Sequence, residues 1–484
     1  MSDLLAGGGL LLAAAASAAA ILLPPGRPRS LAMLVAIGLF PALILGDQWH
    51  TAQIVDLRHD EGRIVALVAI AVTAVGLLAY LFRRWPILMP LAIVAALPFR
   101  VPLHAGGDTA NLLVPLYLVI AAAVVATLLR DWSAPRVTWS PRALAWLLAA
   151  AVVLYALQTL YSEDFSKGLQ NVCFFLVPFT VAYRLLREVE WDRRLLTLLL
   201  WVLGVEAAIF VAIGSVEYLT RSLFWNDQVI RSNEFHTYFR VNSVFWDPNV
   251  YGRYLALVIT VATAALLWAR ERRSFALLTL LIGFLWLGLA QTFSQSSYIA
   301  LLAGLAVLAA IRWSWRWTLA AVAVGIVAAA LVVTFAGGSD KVNFSRLNID
   351  TSGRANLVEG GLDLFAERPL QGYGSGSFQA AYRDHRENKD VPVSVSHTEP
   401  VTVAAEQGLV GLALYVALIA VALWTMTAGI RAGPIAARSA VLAAFVALLV
   451  HTLSYAGFFE DPITWVLLAI GASLAHGPMV REST

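Results

Sequence analysis

Apolar runs about one bilayer long recur from one end of this chain to the other, and that repetition leaves few folds open. Some fifteen runs, rich in Ala, Leu, Val, Ile and Phe, are separated by short polar joints. A helix needs about 20 apolar residues to cross the hydrocarbon core. Of the 484 residues, 60% are apolar and only 13% charged, against roughly 45–50% and 25% in soluble domains. With a mean hydropathy of +0.74, the chain reads as one polytopic helical bundle, not a string of soluble domains. Net charge is +3, and the arginines sit in scattered pairs at the ends of the runs, which gives no footprint for nucleic acid. The single cysteine, Cys173, lies inside an apolar run, so no internal disulfide framework exists. The first 24 residues lack a basic leading region and are followed by another apolar run at Leu31; they are expected to be a first span, not a cleaved signal.

The charges between the runs fix an expected topology. One set of joints holds Arg27 and Arg29, Arg83 and Arg84, Arg130, Arg136 and Arg142, Arg184, Arg187, Arg193 and Arg194, Arg270, Arg272 and Arg273, Arg312 and Arg316, and Arg431 and Arg438. The alternate short joints, SEDFSKG near 161–168, QTFSQSS near 291–297 and FFEDP near 458–462, are nearly free of arginine. Cytoplasmic joints carry the basic excess, so residues 215–248 and 337–399 are expected outside and the tail with Arg481 inside. The runs at 85–99, 297–311 and 462–477 are short, which leaves the span count at about 12–15.

Polar chemistry concentrates in the two long outer stretches. The first carries Arg221, Arg231, Arg240 and Arg253 on the face where arginine is rarest. Guanidinium forks match phosphate oxygens, so these residues point to a phosphate or pyrophosphate headgroup, with snorkelling to lipid phosphates as the plainer reading. Asp247, ahead of Pro248 and Asn249, has the character of a helix N-cap. In the second stretch, ANLVEGGLDLFAERPL reads as an amphipathic helix stopped by Pro369, and GYGSG at 372–376 as a flexible turn. His397 then precedes Thr398, Glu399 and Pro400 at the rim of the next run, with Glu406 further in. A neutral histidine beside a carboxylate can take a proton from a hydroxyl; capping or packing at a helix start is the alternative. His451, with Ser454 and Tyr455 nearby, is a polar group inside an apolar run, where it lines a cavity or closes a core hydrogen bond. No histidine pair has the HExxH zinc spacing.

Four segments together resemble the O-antigen ligase and polymerase superfamily of bacterial membrane glycosyltransferases. They are RVNSVFWDPNVYGRYLAL at 240–257, FSQSSYIALLAGLAVL at 293–308, GRANLVEGGLDLFAERPLQGYGSGSF at 353–378 and SHTEPVTVAAEQGLVGLALYVALIAVAL at 396–423. The resemblance implies many spans with one large extracytoplasmic loop, and transfer of a glycan from an undecaprenyl diphosphate carrier to an acceptor hydroxyl. It implies no nucleotide sugar, cofactor or metal. It places Arg240 on the carrier phosphate, His397 on the acceptor, Arg354 at the loop's Gly-Arg motif, and Glu406 and Gly408 in a mostly structural E-x-G opening. The chain departs from the pattern at Gln295, where the superfamily often has arginine. Arg354 or Arg253 is the expected source of the missing charge.

The resulting expectation is an all-α polytopic membrane protein, similar to the GT-C class. It comprises an N-terminal bundle at 1–336 with an outer loop at 215–248, a large extracytoplasmic loop at 337–399, and C-terminal spans at 400–484. The expected activity is an inverting, metal-independent glycosyltransferase of the inner membrane with its site on the extracytoplasmic face. Catalysis is expected of His397, Arg240 and Arg354, and substrate binding of Arg253, Gln295, Asp247, Glu399 and Arg221. The expected partners are the lipid-linked glycan donor, a glycan or lipid-glycan acceptor and membrane lipids. A lipid-linked glycan transporter or flippase is the competing function.

Overall fold

The structure is a computed structural model that describes residues 3–105, 108–132, 141–235, 238–336, 354–385 and 395–476. Most of GGSDKVNFSRLNIDTSGR in the large loop, residues 386–394 and the tail with Arg481 lie outside the described residues. The elements begin with α1 (Asp3–Leu22), α2 (Arg27–Asp47), α3 (Ala52–His59), α4 (Glu61–Arg84) and α5 (Leu88–Ala95). A two-stranded antiparallel hairpin follows, β1 (Val101–Ala105) against β2 (Asp108–Leu112). Then come α6 (Val114–Asp131), α7 (Ala143–Thr159), α8 (Phe165–Asn171), α9 (Val177–Arg187) and α10 (Arg193–Thr220). Next are α11 (Asp227–Phe235), α12 (Pro248–Leu267), α13 (Arg272–Thr292), α14 (Gln295–Arg312) and α15 (Trp315–Ala336). The last are α16 (Arg354–Glu367), α17 (Phe378–His385), α18 (Glu399–Thr427), α19 (Ile435–Thr452) and α20 (Pro462–His476).

Among the described residues, 11 helical segments are long and apolar enough to cross a membrane, and Ala143–Thr159, Trp315–Val327 and Pro462–His476 are shorter apolar helices. The chain is a multi-pass membrane protein. Two local results differ from the sequence expectation. The short run at 85–99 contains only the eight-residue α5, and the hairpin after it interrupts an otherwise helical fold. Side chains such as Val65, Val68, Ile70 and Val72 on α4 are exposed, the outward apolar face expected of a helix solvated by lipid.

Sequence explains several helix limits. Asp60, Asp164 and Asp192 each accept a hydrogen bond from a backbone N–H three residues on, satisfying donors that the first helical turn leaves unpaired. Between α8 and α9 the helix widens into a π-turn over Val172–Leu176, with Pro178 just beyond. Proline has no N–H for the carbonyl four residues back. The Phe174 carbonyl instead accepts from the Tyr117 hydroxyl at 2.8 Å.

The bundle has two chemically different ends. At the arginine-rich end, α2, α6 and α9 are tied by Arg29 to Asp131 and Glu188, Arg184 to Glu188 at 3.1 Å, and Arg130 to both carboxylates at 3.2 Å. The opposite end gathers the C-termini of α10, α13 and α19 and the N-termini of α12, α14, α18 and α20.

There the segment between α16 and α17 docks onto a break in α18. Gly408 adopts φ 63°, ψ −163° inside that helix, and the carbonyls freed by the break find partners elsewhere. Tyr373 N–H donates to the Ala405 carbonyl at 3.1 Å, Gly374 N–H to Glu406 at 2.8 Å, and Gln158 Nε2 to Gln407 at 3.1 Å. Leu409 N–H donates to the Pro369 carbonyl at 2.7 Å. The Glu406 carboxylate accepts from Gly376 and Phe378 N–H at 2.9 and 3.1 Å, capping α17. The GYGSG stretch is therefore a buried turn, held to α18 through its backbone. Its flexible appearance in sequence came from glycines that are needed for close approach.

Candidate functional site

The site lies at the arginine-poor end and is assembled from four separate parts of the chain. The first is the connection into α12. Asn233 clamps Arg240 at both backbone groups, accepting from its N–H and donating to its carbonyl, each at 3.0 Å. Val241 N–H donates to the Gln291 carbonyl at 3.2 Å, and Ser243 N–H to the Glu217 carboxylate at 2.7 Å. With the backbone fixed, the Arg240 Nε donates to the Thr292 carbonyl at 2.9 Å and its Nη2 to Asn249 Oδ1 at 3.0 Å. Both acceptors are neutral. Burial lowers the Arg240 pKa, Asp247 opposes that, and Arg354 adds to it.

Asp247 caps α12 by accepting from Asn249 N–H at 2.6 Å, as its place before Pro248 foretold. Asn249 Oδ1 also accepts from Ser294 Oγ at 2.9 Å. That joins the WDPN segment to the second part, the SQSS start of α14. Ser294 Oγ lies 2.8 Å from Ser297 Oγ, and Ser296 Oγ lies 3.2 Å from His451 Nε2 on α19. Gly252 permits this contact, since a Cβ there would stand 2.6 Å from Ser297 Oγ. His451 therefore makes a core hydrogen bond, and its Nδ1 has no partner among the described residues.

The third part is Arg354, the first residue of α16. Its charge acts on Arg240, His397, His451 and Tyr455. The fourth is His397, two residues before α18, held in the left-handed region at φ 61°. Its neighbours pin that conformation: Ser396 Oγ pairs with Thr402 Oγ1 at 2.8 Å, and Thr398 Oγ1 donates to the Leu453 carbonyl at 3.0 Å. The imidazole meets the Tyr455 ring edge-on at 6.2 Å. Burial and then Arg354 lower its pKa below the usual 6.5, with Asp247 opposing. The ring is therefore neutral at neutral pH and able to accept a proton.

The structure thus brings Arg240, Arg354, His397 and Asp247 into one electrostatic neighbourhood, with Arg253 close behind. Arg253 is buried one turn into α12 and pairs with Asp461 at 2.9 Å. Three other predicted residues are placed differently. Glu399 is buried, and its carboxylate accepts from Gly457 and Phe458 N–H at 2.6 and 3.1 Å; it anchors the loop after α19, and the carboxylate whose charge reaches His397 is Asp247. Arg221 is exposed at the end of α10, its guanidinium 4.4 Å from the Tyr218 ring. Gln295 is exposed beside the buried serines.

Sequence reasoning passed over Arg100 and Asp461 and gave Tyr455 no role at the site. Arg100 carried a signal, being an arginine beside a joint on the arginine-poor face. Tyr455 carried none, because its position depends on how the loop from Leu453 to Asp461 folds over α12 and His397.

A protein-family profile described as O-antigen ligase matches residues 280–416. The match runs from within α13 to within α18 and includes Gln295, Arg354, His397 and Glu399. Arg240, Asp247 and Arg253 fall outside it. No curated protein matches the chain.

Proposed function

We propose that this protein is a membrane glycosyltransferase that moves a glycan from a polyprenyl diphosphate carrier to an acceptor hydroxyl. The observation that carries the reading is the grouping of Arg240 and Arg354, neither ion-paired to a carboxylate among the described residues, around the neutral imidazole of His397. The similarity to the O-antigen ligase profile over residues 280–416 supports it. The arginine-rich opposite end supports an extracytoplasmic site, since the basic end of a bundle stays in the cytoplasm.

The chemistry follows from the groups. The acceptor oxygen attacks the anomeric carbon on the side opposite the diphosphate, and its proton passes to His397. As the new C–O bond forms, the bond from the anomeric carbon to the phosphate oxygen breaks, and the electron pair leaves on the diphosphate. That displacement inverts the configuration. Arg240 and Arg354 stabilise the charge growing on the leaving oxygen. Asp247 keeps the two arginines from repelling His397's proton altogether. Arg354 supplies the charge that Gln295 lacks, and grooves between spans hold the polyprenyl tail.

The test is incubation of purified protein in lipid nanodiscs with lipid-linked oligosaccharide and an acceptor glycan. Label should move to the acceptor with wild-type protein and not with Arg240→Ala, while Arg240→Lys recovers part of the rate because an ammonium cannot reproduce the planar fork. Movement of intact lipid-linked glycan across the bilayer, without transfer, would instead support a flippase.

A further inference from the structure

Beside Arg240 lies a pair of aromatic rings that the transfer chemistry above leaves unused. Tyr238 and Phe293 stack with ring centroids 4.9 Å apart and planes 27° from parallel. Phe293 is backed by Tyr238 and still keeps 41% of its surface exposed. Their place follows from the contacts that seat Arg240. Tyr238 stands two residues before it. Phe293 lies between Thr292, whose carbonyl accepts from Arg240 Nε at 2.9 Å, and Ser294, whose hydroxyl donates at 2.9 Å to Asn249 Oδ1. That same Asn249 oxygen accepts from Arg240 Nη2. The stack is therefore fixed to the frame that holds the guanidinium.

Phe293 also has an unfavourable position for its residue type. It ends α13 in the left-handed conformation, φ 50°, ψ 33°, where helices favour glycine or asparagine. A β-carbon is strained in that conformation, and strain beside a binding group points to a use for the side chain that carries it. Aromatic faces are electron-rich and attract polarised C–H bonds, and a pyranose presents several such bonds on one face. We propose that Phe293, backed by Tyr238, is a stacking platform for the pyranose attached to the donor's diphosphate. The inference rests on the transferase reading and deepens it: Arg240 takes the charged end of the donor, and the ring beside it takes the first sugar. The plainer account is a pair of interfacial aromatics that anchor the outer end of α13 among lipid headgroups.

Titration of the full-length protein in nanodiscs separates the two. The probes are farnesyl diphosphate and farnesyl diphosphate carrying glucose, galactose or N-acetylglucosamine. Wild-type protein should bind at least one glycosylated probe about fivefold or more tightly than plain farnesyl diphosphate, the value of a few C–H contacts with a ring face. Phe293→Leu keeps an apolar group for lipid. It should erase the sugar preference and leave affinity for the plain probe unchanged, which also reports an intact site; Phe293→Trp should keep the preference. Tyr238→Leu leaves α13 untouched, removes the backing ring and should reduce the preference to about twofold. An unchanged preference in Phe293→Leu makes the ring a lipid anchor and overturns the platform. Equal weakening of plain and glycosylated probes in both leucine variants overturns it as well, and so does a wild-type protein that transfers glycan without any sugar preference. If the preference and both variant effects appear but no lipid-linked glycan is ever transferred, the platform stands and the transferase reading falls.

Discussion

Two glycines with nearly the same positive φ and different surroundings offer a controlled test of how the loop before α17 is held. Gly372 has φ 66° and Gly429 has φ 60°, so alanine at either position carries a positive-φ strain of about 1–2 kcal/mol. The environments differ sharply. A Cβ on Gly372 would stand 2.3 Å from the Glu406 carbonyl oxygen and 2.4 Å from its carbon, both backbone atoms at the break in α18. A Cβ on Gly429 would meet only the Ala432 Cβ, at 4.0 Å. Backbone cannot rotate away, so Gly372→Ala should add an overpacking cost of about 1–3 kcal/mol and weaken the neighbouring bond from Gly374 N–H to Glu406, worth about 1 kcal/mol. The totals come to about 3–6 kcal/mol against about 1–2 for Gly429→Ala. Thermal unfolding of the two variants in the same detergent measures the difference. Gly372→Ala should also lower transfer, because the displaced loop is continuous with α16 and so with Arg354. Equal shifts in unfolding temperature for the two variants would refute the reasoning, since strain alone would then account for both.

His397→Ala should lower glycan transfer about 10²–10⁴-fold, the usual contribution of a general base, with donor affinity retained; a proportional loss of donor binding would make His397 a donor contact instead. Because its pKa is lowered below 6.5, wild-type activity should hold through neutral pH and fall only on the acid side of that value, as the imidazole gains a proton. Arg354→Gln removes a cause of the lowering and should move that limb up, whereas Asp247→Asn removes the opposing charge and should move it down; pH–rate profiles of whatever activity remains check both signs. Arg354→Ala should cost about tenfold or more in turnover, and Gln295→Arg in that background should recover part of it; absence of recovery would show that the start of α14 does not face the anion. For topology, Cys173 is buried, so a Cys173-containing background is quiet to impermeant thiol reagents. Ser232→Cys should label in intact spheroplasts and Ala432→Cys only after lysis, and the reverse pattern would invert the orientation.

Transmembrane segments were legible in the sequence because the bilayer imposes its own length scale: a helix solvated by lipid needs a continuous apolar run whatever it packs against. Paired arginines at alternate joints were legible for the same reason, each being a local cost that chain order alone reveals. Asp247 as a cap was visible too, since capping involves neighbours in sequence. The hairpin after α5 was missed because its two strands are short and follow an apolar run that resembles a span. The candidate site shows the same division. Arg240, Arg354 and His397 were singled out from their residue types, their places on the arginine-poor face and their matched motifs. Their shared neighbourhood depends on the segment after α16 docking against the break at Gly408, a contact between segments far apart in the chain. Glu399 illustrates the converse: adjacent to His397 in sequence, its carboxylate turns to the backbone of Gly457 and Phe458, and Asp247, some 150 residues away, supplies the charge that acts on the imidazole. Local chemistry is written in the order of residues. Which charges share a low-dielectric space is decided only when helices pack, because electrostatics and burial depend on distance in space and not along the chain.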